Sequence, residues 1–61
     1  MVFQTMSGTL YSVDTINHII CGGVISEPTM YERLQAIIGE RGYIALVDGR
    51  VITTSVVVGY M

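Results

Sequence analysis

The chain alternates between short apolar runs and turn-forming residues, which predicts strands joined by tight turns. Residues 1–6 and 9–13 form the first pair of strands. Ser7-Gly8 between them is typical of a two-residue hairpin turn, since glycine tolerates a positive φ. Such a turn would place Phe3 opposite Ser12.

A third apolar run covers residues 16–21 and is rich in β-branched side chains, so it is predicted to be a strand. Asp14-Thr15 ends the strand before it, because aspartate disfavours strands and bends its own backbone. Gly22-Gly23 breaks or bulges the third strand, and Val24-Ile25 is able to continue it.

Residues 26–39 carry the pattern of a single helix. Thr29 and Glu32 have the spacing of a capping box, with Ser26 as the rival N-cap, and Pro28 is tolerated in the first turn. Apolar side chains then recur at helical spacing, at Met30, Leu34, Ile37 and Ile38. A helix this short requires a sheet to pack on.

Residues 43–47 and 50–58 flank Asp48-Gly49, a strong signal for a hairpin. A two-residue turn there would place Ala45 opposite Ile52. Both faces of the resulting hairpin are apolar, and one helix covers only one of them, so the other face requires a partner.

The element order is therefore β-β-β-α-β-β: one α+β domain over residues 1–61, with a small antiparallel sheet and one helix packed on it. Hydrophobic residues make up 51% of the chain and charged residues only 13%, about half the usual share. Because this leaves too few charges to coat a small monomer, the composition predicts a homo-oligomer.

Charge and hydropathy exclude several partners. The formal net charge is −2 and the three basic residues are all arginines, so nucleic-acid binding is not expected. No apolar run reaches the length of a membrane helix, and the first residues lack the pattern of a signal peptide. With a single cysteine, the chain is expected in the cytoplasm.

The sequence offers little catalytic chemistry. His18 is the only histidine and Cys21 the only cysteine, and at this spacing on a strand they would point to opposite faces. His18 is interpreted as a strand histidine at an interface or sheet edge, and Cys21 as a small buried hydrophobe. We therefore expect no enzyme, no metal site and no cofactor.

The candidate binding residues are those suited to an anion. Arginine recognises phosphate or carboxylate in a bidentate manner, tyrosine stacks on a base, and hydroxyl groups add hydrogen bonds. The candidates are Arg33, Arg41, Arg50, Tyr43, Thr53, Thr54 and Ser55. The alternative is that the arginines serve solubility and pair with nearby Glu32, Glu40 or Asp48.

Two segments resemble a known pattern. Residues 5–14, Thr-Met-Ser-Gly-Thr-Leu-Tyr-Ser-Val-Asp, and residues 53–57, Thr-Thr-Ser-Val-Val, are similar to small uncharacterised bacteriophage-encoded proteins with T-x-S-G-x-x-Y-x-V/I-D near the start and T-T-S-x-V near the end. The resemblance implies a phage origin, hence the host cytoplasm. Small phage proteins often act on host systems, host defence among them, by binding.

The resulting hypothesis is a non-enzymatic, homo-oligomeric binding protein of phage type. It would sequester a small anionic ligand such as a nucleotide, or block a host protein. The alternative is a structural or assembly protein whose oligomer is itself the function.

Overall fold

The computed structural model describes all of residues 1–61 and contains six antiparallel strands that form a closed barrel in chain order, with β1 paired to β6. The strands are β1 (Val2–Thr5), β2 (Leu10–Asp14), β3 (Ile19–Gly22), β4 (Ile25–Gln35), β5 (Arg41–Leu46) and β6 (Val51–Tyr60). The fold is therefore all-β, and the predicted α+β class is wrong.

The segment predicted as a helix is instead the longest strand, β4, followed by a loop. Met30, Ile37 and Ile38, which were expected to share a buried helix face, are all exposed. Strand β4 pairs with both β3 and β5, and its first residue, Ile25, which precedes the predicted helix, is completely buried. Its helix-forming residues are overridden because barrel closure supplies backbone partners and burial that a short helix lacks.

Pro28 is accommodated within β4 by an irregularity in the ladder. Ile20 pairs with Thr29 and Gly22 pairs with Ile25, so residues 26–28 all lie opposite Cys21. Proline in a sheet is confined to edges and bulges because it has no N–H to donate. The irregularity therefore explains how a strand passes through a residue that is also common at helix starts.

Both predicted hairpins form, but each register differs by one residue from the prediction. At the first turn, the Gly8 N–H donates to the Thr5 carbonyl at 2.9 Å and the Thr5 N–H donates to the Thr9 carbonyl at 3.0 Å. Gly8 has φ +88°. This is a three-residue loop whose glycine forms a bulge, and not the predicted two-residue turn.

The second hairpin also has a three-residue loop whose glycine forms a bulge. The Gly49 N–H donates to the Leu46 carbonyl at 3.1 Å, the Leu46 N–H donates to the Arg50 carbonyl at 2.8 Å, and Gly49 has φ +94°. Ala45 consequently pairs with Val51 and not with Ile52. A shift of one residue exchanges the two faces of a strand. Ile52 therefore turns inward and Val51 is exposed.

The corrected registers explain the core. Phe3 pairs with Tyr11, and the two rings stack with their centroids 4.9 Å apart. The core is a single cluster of eight buried apolar residues: Phe3, Tyr11, Val13, Ile20, Ile25, Ile44, Leu46 and Val57. Leu46 and Val57, both from the hairpin that was expected to require an apolar partner, are buried within the chain.

The turn between β2 and β3 is held by Asp14. Its Oδ1 accepts the N–H groups of Ile16 and Asn17 at 3.0 Å each, and its Oδ2 accepts from the Asn17 side-chain amide at 2.9 Å. His18 completes the turn with φ +56°. The predicted third strand therefore begins at Ile19, three residues later than expected, and His18 lies in an exposed turn.

The accessible surface of the chain is 3814 Å². A folded monomer of 6.7 kDa is expected to expose roughly 3,900 Å². One chain therefore closes into a barrel as compact as an ordinary small domain.

The positive φ of Gly49 gives a test of the second turn. Nothing lies within 4 Å of a Cβ built there, so a side chain meets no clash and only backbone strain opposes it. We expect Gly49→Val to lower the free energy of unfolding by about 1–2 kcal/mol in chemical denaturation. Gly59→Val is the matched control, since Gly59 also has open space but no positive φ. Equal stability of the two variants would contradict the bulged turn.

The three hydrogen bonds at Asp14 lower the pKa of its carboxyl below the ordinary value, the backbone bond from Asn17 being the largest cause. A carboxyl whose pKa is lowered by folding stabilises the protein above its unfolded pKa and loses that effect as pH falls through its folded pKa. We therefore expect stability to fall below about pH 4. Asp14→Asn should flatten this slope in thermal melts between about pH 2 and 5. An unchanged slope in the variant would contradict the role given to Asp14.

Candidate functional site

Three of the predicted binding residues lie together on the outer face of β4, β5 and β6. Arg33 pairs with Ala45, which pairs with Val51, and in the next row Tyr43 pairs with Thr53. Paired residues share a face, and residues two apart along a strand share it as well. Arg33, Tyr43 and Thr53 are all exposed on this surface, which we call the β4–β6 face.

A shallow concavity of about 630 Å³ lies on the β4 side of this face. Its lining consists of Glu32, Arg33, Leu34, Gln35 and Tyr43. Arg33 forms no ion pair, because the only salt bridge of the chain joins Arg50 to Asp48. The concavity therefore holds an unpaired guanidinium beside an aromatic ring and a carboxamide, with one carboxylate at its margin.

The other two arginines do not converge on this concavity. Arg41 lies on β5 two residues before Tyr43, about 7 Å along the strand, and does not line the concavity. Arg50 adjoins Val51, two strands from Arg33, about 10 Å across the sheet. The Arg50 Nε donates to Asp48 Oδ2 at 2.9 Å. Arg50 therefore follows the alternative interpretation, in which an arginine pairs with a nearby carboxylate.

The ion pair and the backbone N–H of Arg50 both act on Asp48. The backbone hydrogen bond is the larger cause of a pKa lowered below the ordinary value for this carboxyl. Both side chains are about half exposed, at 51% and 45%. The pair consequently fixes the turn locally and contributes little to stability.

The remaining hydroxyl groups of the predicted site are used inside the protein. Thr54 is buried, and its Oγ1 accepts the Gly42 N–H at 2.9 Å and donates to the Ser55 carbonyl at 2.7 Å. Ser55 Oγ accepts the Ser7 N–H at 3.2 Å and lies 3.3 Å from Ser7 Oγ. Thr54 thus links β6 to β5, and Ser55 links β6 to the turn between β1 and β2. Only Thr53 faces outward.

His18 and Cys21 form no reactive pair. The ring of His18 lies beside Tyr31, with centroids 5.4 Å apart, in the exposed β2–β3 turn. The Cys21 thiol points to the carbonyls of Ile25 and Ser26, at 3.6 and 3.9 Å. No three metal-ligating side chains cluster anywhere in the chain.

The exterior of the barrel is unusually apolar. More large apolar side chains are exposed than are buried in the core. Val51 on the β4–β6 face, Met30 on β4 and Val47 just after β5 form part of this surface, with exposures of 58%, 53% and 50%. The structure contains no helix of the length and apolar character that crossing a membrane requires.

Sequence reasoning missed Glu32 and Gln35 as parts of the site. It placed both on a helix, where Glu32 served as a capping residue. In the strand, Glu32 is the extra residue of a bulge. Tyr31 pairs with Leu46 and Arg33 pairs with Ala45, so no residue lies between the two partners on β5 to pair with Glu32. No local signal marks that bulge, since it arises from pairing with a distant strand.

Comparison of the chain with protein-family models, with curated proteins and with solved structures finds no match.

Two adjacent threonines test the assignment of the hydroxyl groups. Thr54→Val keeps the shape of the side chain but leaves the buried Gly42 N–H without an acceptor, which should lower stability by about 1–3 kcal/mol. Thr53→Val changes an exposed hydroxyl and should stay within about 0.5 kcal/mol of the natural protein. Urea denaturation of both variants gives the comparison. Similar losses for the two would show that Thr54 has no special structural role.

Proposed function

We propose that this chain is a non-enzymatic binding protein that acts as a homo-oligomer and holds a small anionic, nucleotide-like ligand on the β4–β6 face. The observation that carries the proposal is the unpaired Arg33 guanidinium in a concavity beside Tyr43. Arg41 and Arg50, of which the sequence favoured Arg50 even over Arg33, are not part of this concavity.

The lining residues match the parts of a nucleotide. A guanidinium binds a phosphate through two parallel N–H donors. The Tyr43 ring offers a face on which a base stacks, and the Gln35 carboxamide both donates to and accepts from a base edge. The Glu32 carboxylate repels a bare polyanion and accepts from a ligand N–H or O–H group. The set therefore favours a ligand with one phosphate group and a hydrogen-bonding ring.

The apolar exterior supports the homo-oligomeric part of the proposal. Contiguous exposed apolar surface on a small protein marks sites of association. The same observation favours the second candidate, a structural or assembly protein, or one that blocks a host protein with this surface. The two candidates differ in whether a small ligand stabilises the fold.

A thermal-shift screen with nucleoside monophosphates and cyclic dinucleotides tests the ligand. A ligand at a hundred times its Kd should raise stability by about 2.7 kcal/mol. We expect Arg33→Ala to lose this shift and Arg41→Ala, which removes the same charge outside the concavity, to keep it. Tyr43→Leu should weaken the shift for nucleotides more than for inorganic phosphate.

Two results would overturn the ligand proposal. One is the absence of any shift with every phosphate compound tested. The other is an equal loss of shift in Arg33→Ala and Arg41→Ala, which would indicate general charge attraction without a site. Either result favours the assembly candidate.

A further inference from the structure

The bulge in β4 places an acid and a base side by side on the outer surface. Tyr31 and Leu34 both face the core, since each pairs with a buried residue of β5 and packs against the core cluster. In a regular strand, inward positions are two residues apart, so a single residue would separate them. Here two residues separate them, Glu32 and Arg33, and both are exposed and line the concavity.

Neither of these charges is neutralised within the chain. The single ion pair joins Arg50 to Asp48, so Glu32 and Arg33 pair neither with each other nor with a third group. The concavity has no other charged residue in its lining and therefore carries no net charge. A bare phosphate is attracted by Arg33 and repelled by Glu32. A ligand binds well only if it also offers the carboxylate a hydrogen-bond donor.

The positions of the lining residues indicate where that donor lies on a nucleotide. Glu32 and Arg33 are consecutive, whereas Tyr43 pairs with Gln35, which lies two residues and about 7 Å further along β4 than Arg33. A base stacked on Tyr43 has its edge near Gln35, so the base lies at one end of the site and the phosphate at the other. The donors nearest the phosphate are then the 2′ and 3′ hydroxyls, which belong to the sugar that carries the 5′ phosphate.

We infer that the ligand is a ribonucleotide with a 5′ phosphate, whose 2′ and 3′ hydroxyls donate to the Glu32 carboxylate while Arg33 binds the phosphate. This inference deepens the proposed function and rests on it. A carboxylate has two oxygens, so it accepts from two neighbouring hydroxyls at once. Acidic side chains accept from ribose hydroxyls in dinucleotide-binding folds in the same way. Glu32 is thus the residue that distinguishes a ribonucleotide from its deoxy counterpart.

Calorimetric titration of the natural protein with paired nucleotides tests the sugar contact. The probes are the ribonucleoside 5′-monophosphates of the common bases and their 2′,3′-dideoxy counterparts, which keep the base and the phosphate. For the base that binds best, the ribonucleotide should bind about 10- to 100-fold more tightly than the dideoxy form, which is the effect of hydrogen bonds to a charged group.

Removal of the carboxylate separates this contact from general charge effects. Glu32→Ala should weaken binding of the ribonucleotide, whereas the dideoxy form should bind equally well or more tightly, because a repulsive charge beside the phosphate is lost. Glu27→Ala is the matched control and should leave both affinities unchanged, since Glu27 is an exposed glutamate of β4 that does not line the concavity. Far-UV circular dichroism checks that each variant is folded. If Glu32→Ala is unfolded, Glu32→Gln takes its place and should also reduce the preference for the ribonucleotide.

Three results would overturn the inference and leave the proposed function standing, because nucleotides still bind in each. These are equal affinities of the natural protein for the ribonucleotide and dideoxy forms; tighter binding of both forms by Glu32→Ala, which would give the carboxylate a purely repulsive role; or a preference for the ribonucleotide that survives in Glu32→Ala. The absence of binding by every nucleotide would overturn the inference and the proposed ligand together.

Discussion

Closure of the barrel depends on β4 and β6, because each of these long strands pairs with one neighbour along its first half and with another along its second. β4 passes from β3 to β5, and β6 passes from β5 to β1. Both strands carry shifts in register near these transitions, at residues 26–28 and 32 of β4 and at residues 54–55 and 58 of β6. Bulges bend a strand and increase its twist, which lets six short strands enclose so small a core.

The same constraint explains the chemistry of the surface. A long strand that serves two neighbours extends past the shorter ones, so part of its edge stays unpaired. In β4 that part carries the concavity, which the unpaired guanidinium of Arg33 and the neighbouring carboxylate of Glu32 line. The barrel's outer surface is apolar because a chain with 51% hydrophobic residues encloses only eight of them in its core. The unpaired edge of β4 and the apolar outer surface thus both favour association with another molecule.

Much of the strand pattern could be predicted from the sequence, since hairpins are marked by local residues. Ser7-Gly8 and Asp48-Gly49 located both hairpins correctly. They did not give the register, because the same glycine serves a two-residue turn and a bulged three-residue loop. The choice is decided by which side chains enter the core, such as Phe3 with Tyr11. β4 was taken for a helix because Thr29 and Glu32 carry a local capping signal, whereas its strand partners lie elsewhere in the chain.

The candidate site was predictable to a similar extent. Residue type alone selected Arg33, Tyr43 and Thr53, and the structure places these three on one face. Residue type also selected Thr54, which a one-residue difference in register turns into the interior. Arg50 was selected as well, and its nearest carboxylate follows from the shape of the turn. Position within a sheet therefore separates binding candidates from structural residues, and the sequence alone does not supply that position.

The most direct measurement of this account is a set of nuclear Overhauser contacts between backbone protons of the natural chain. A closed barrel predicts contacts between Thr5 and Val57, where β1 meets β6, and between Leu34 and Ile44, where β4 meets β5. Successive amide–amide contacts through residues 26–39, with neither cross-strand contact present, would indicate a helix in that segment and contradict the barrel, the concavity and the unpaired edge of β4 together.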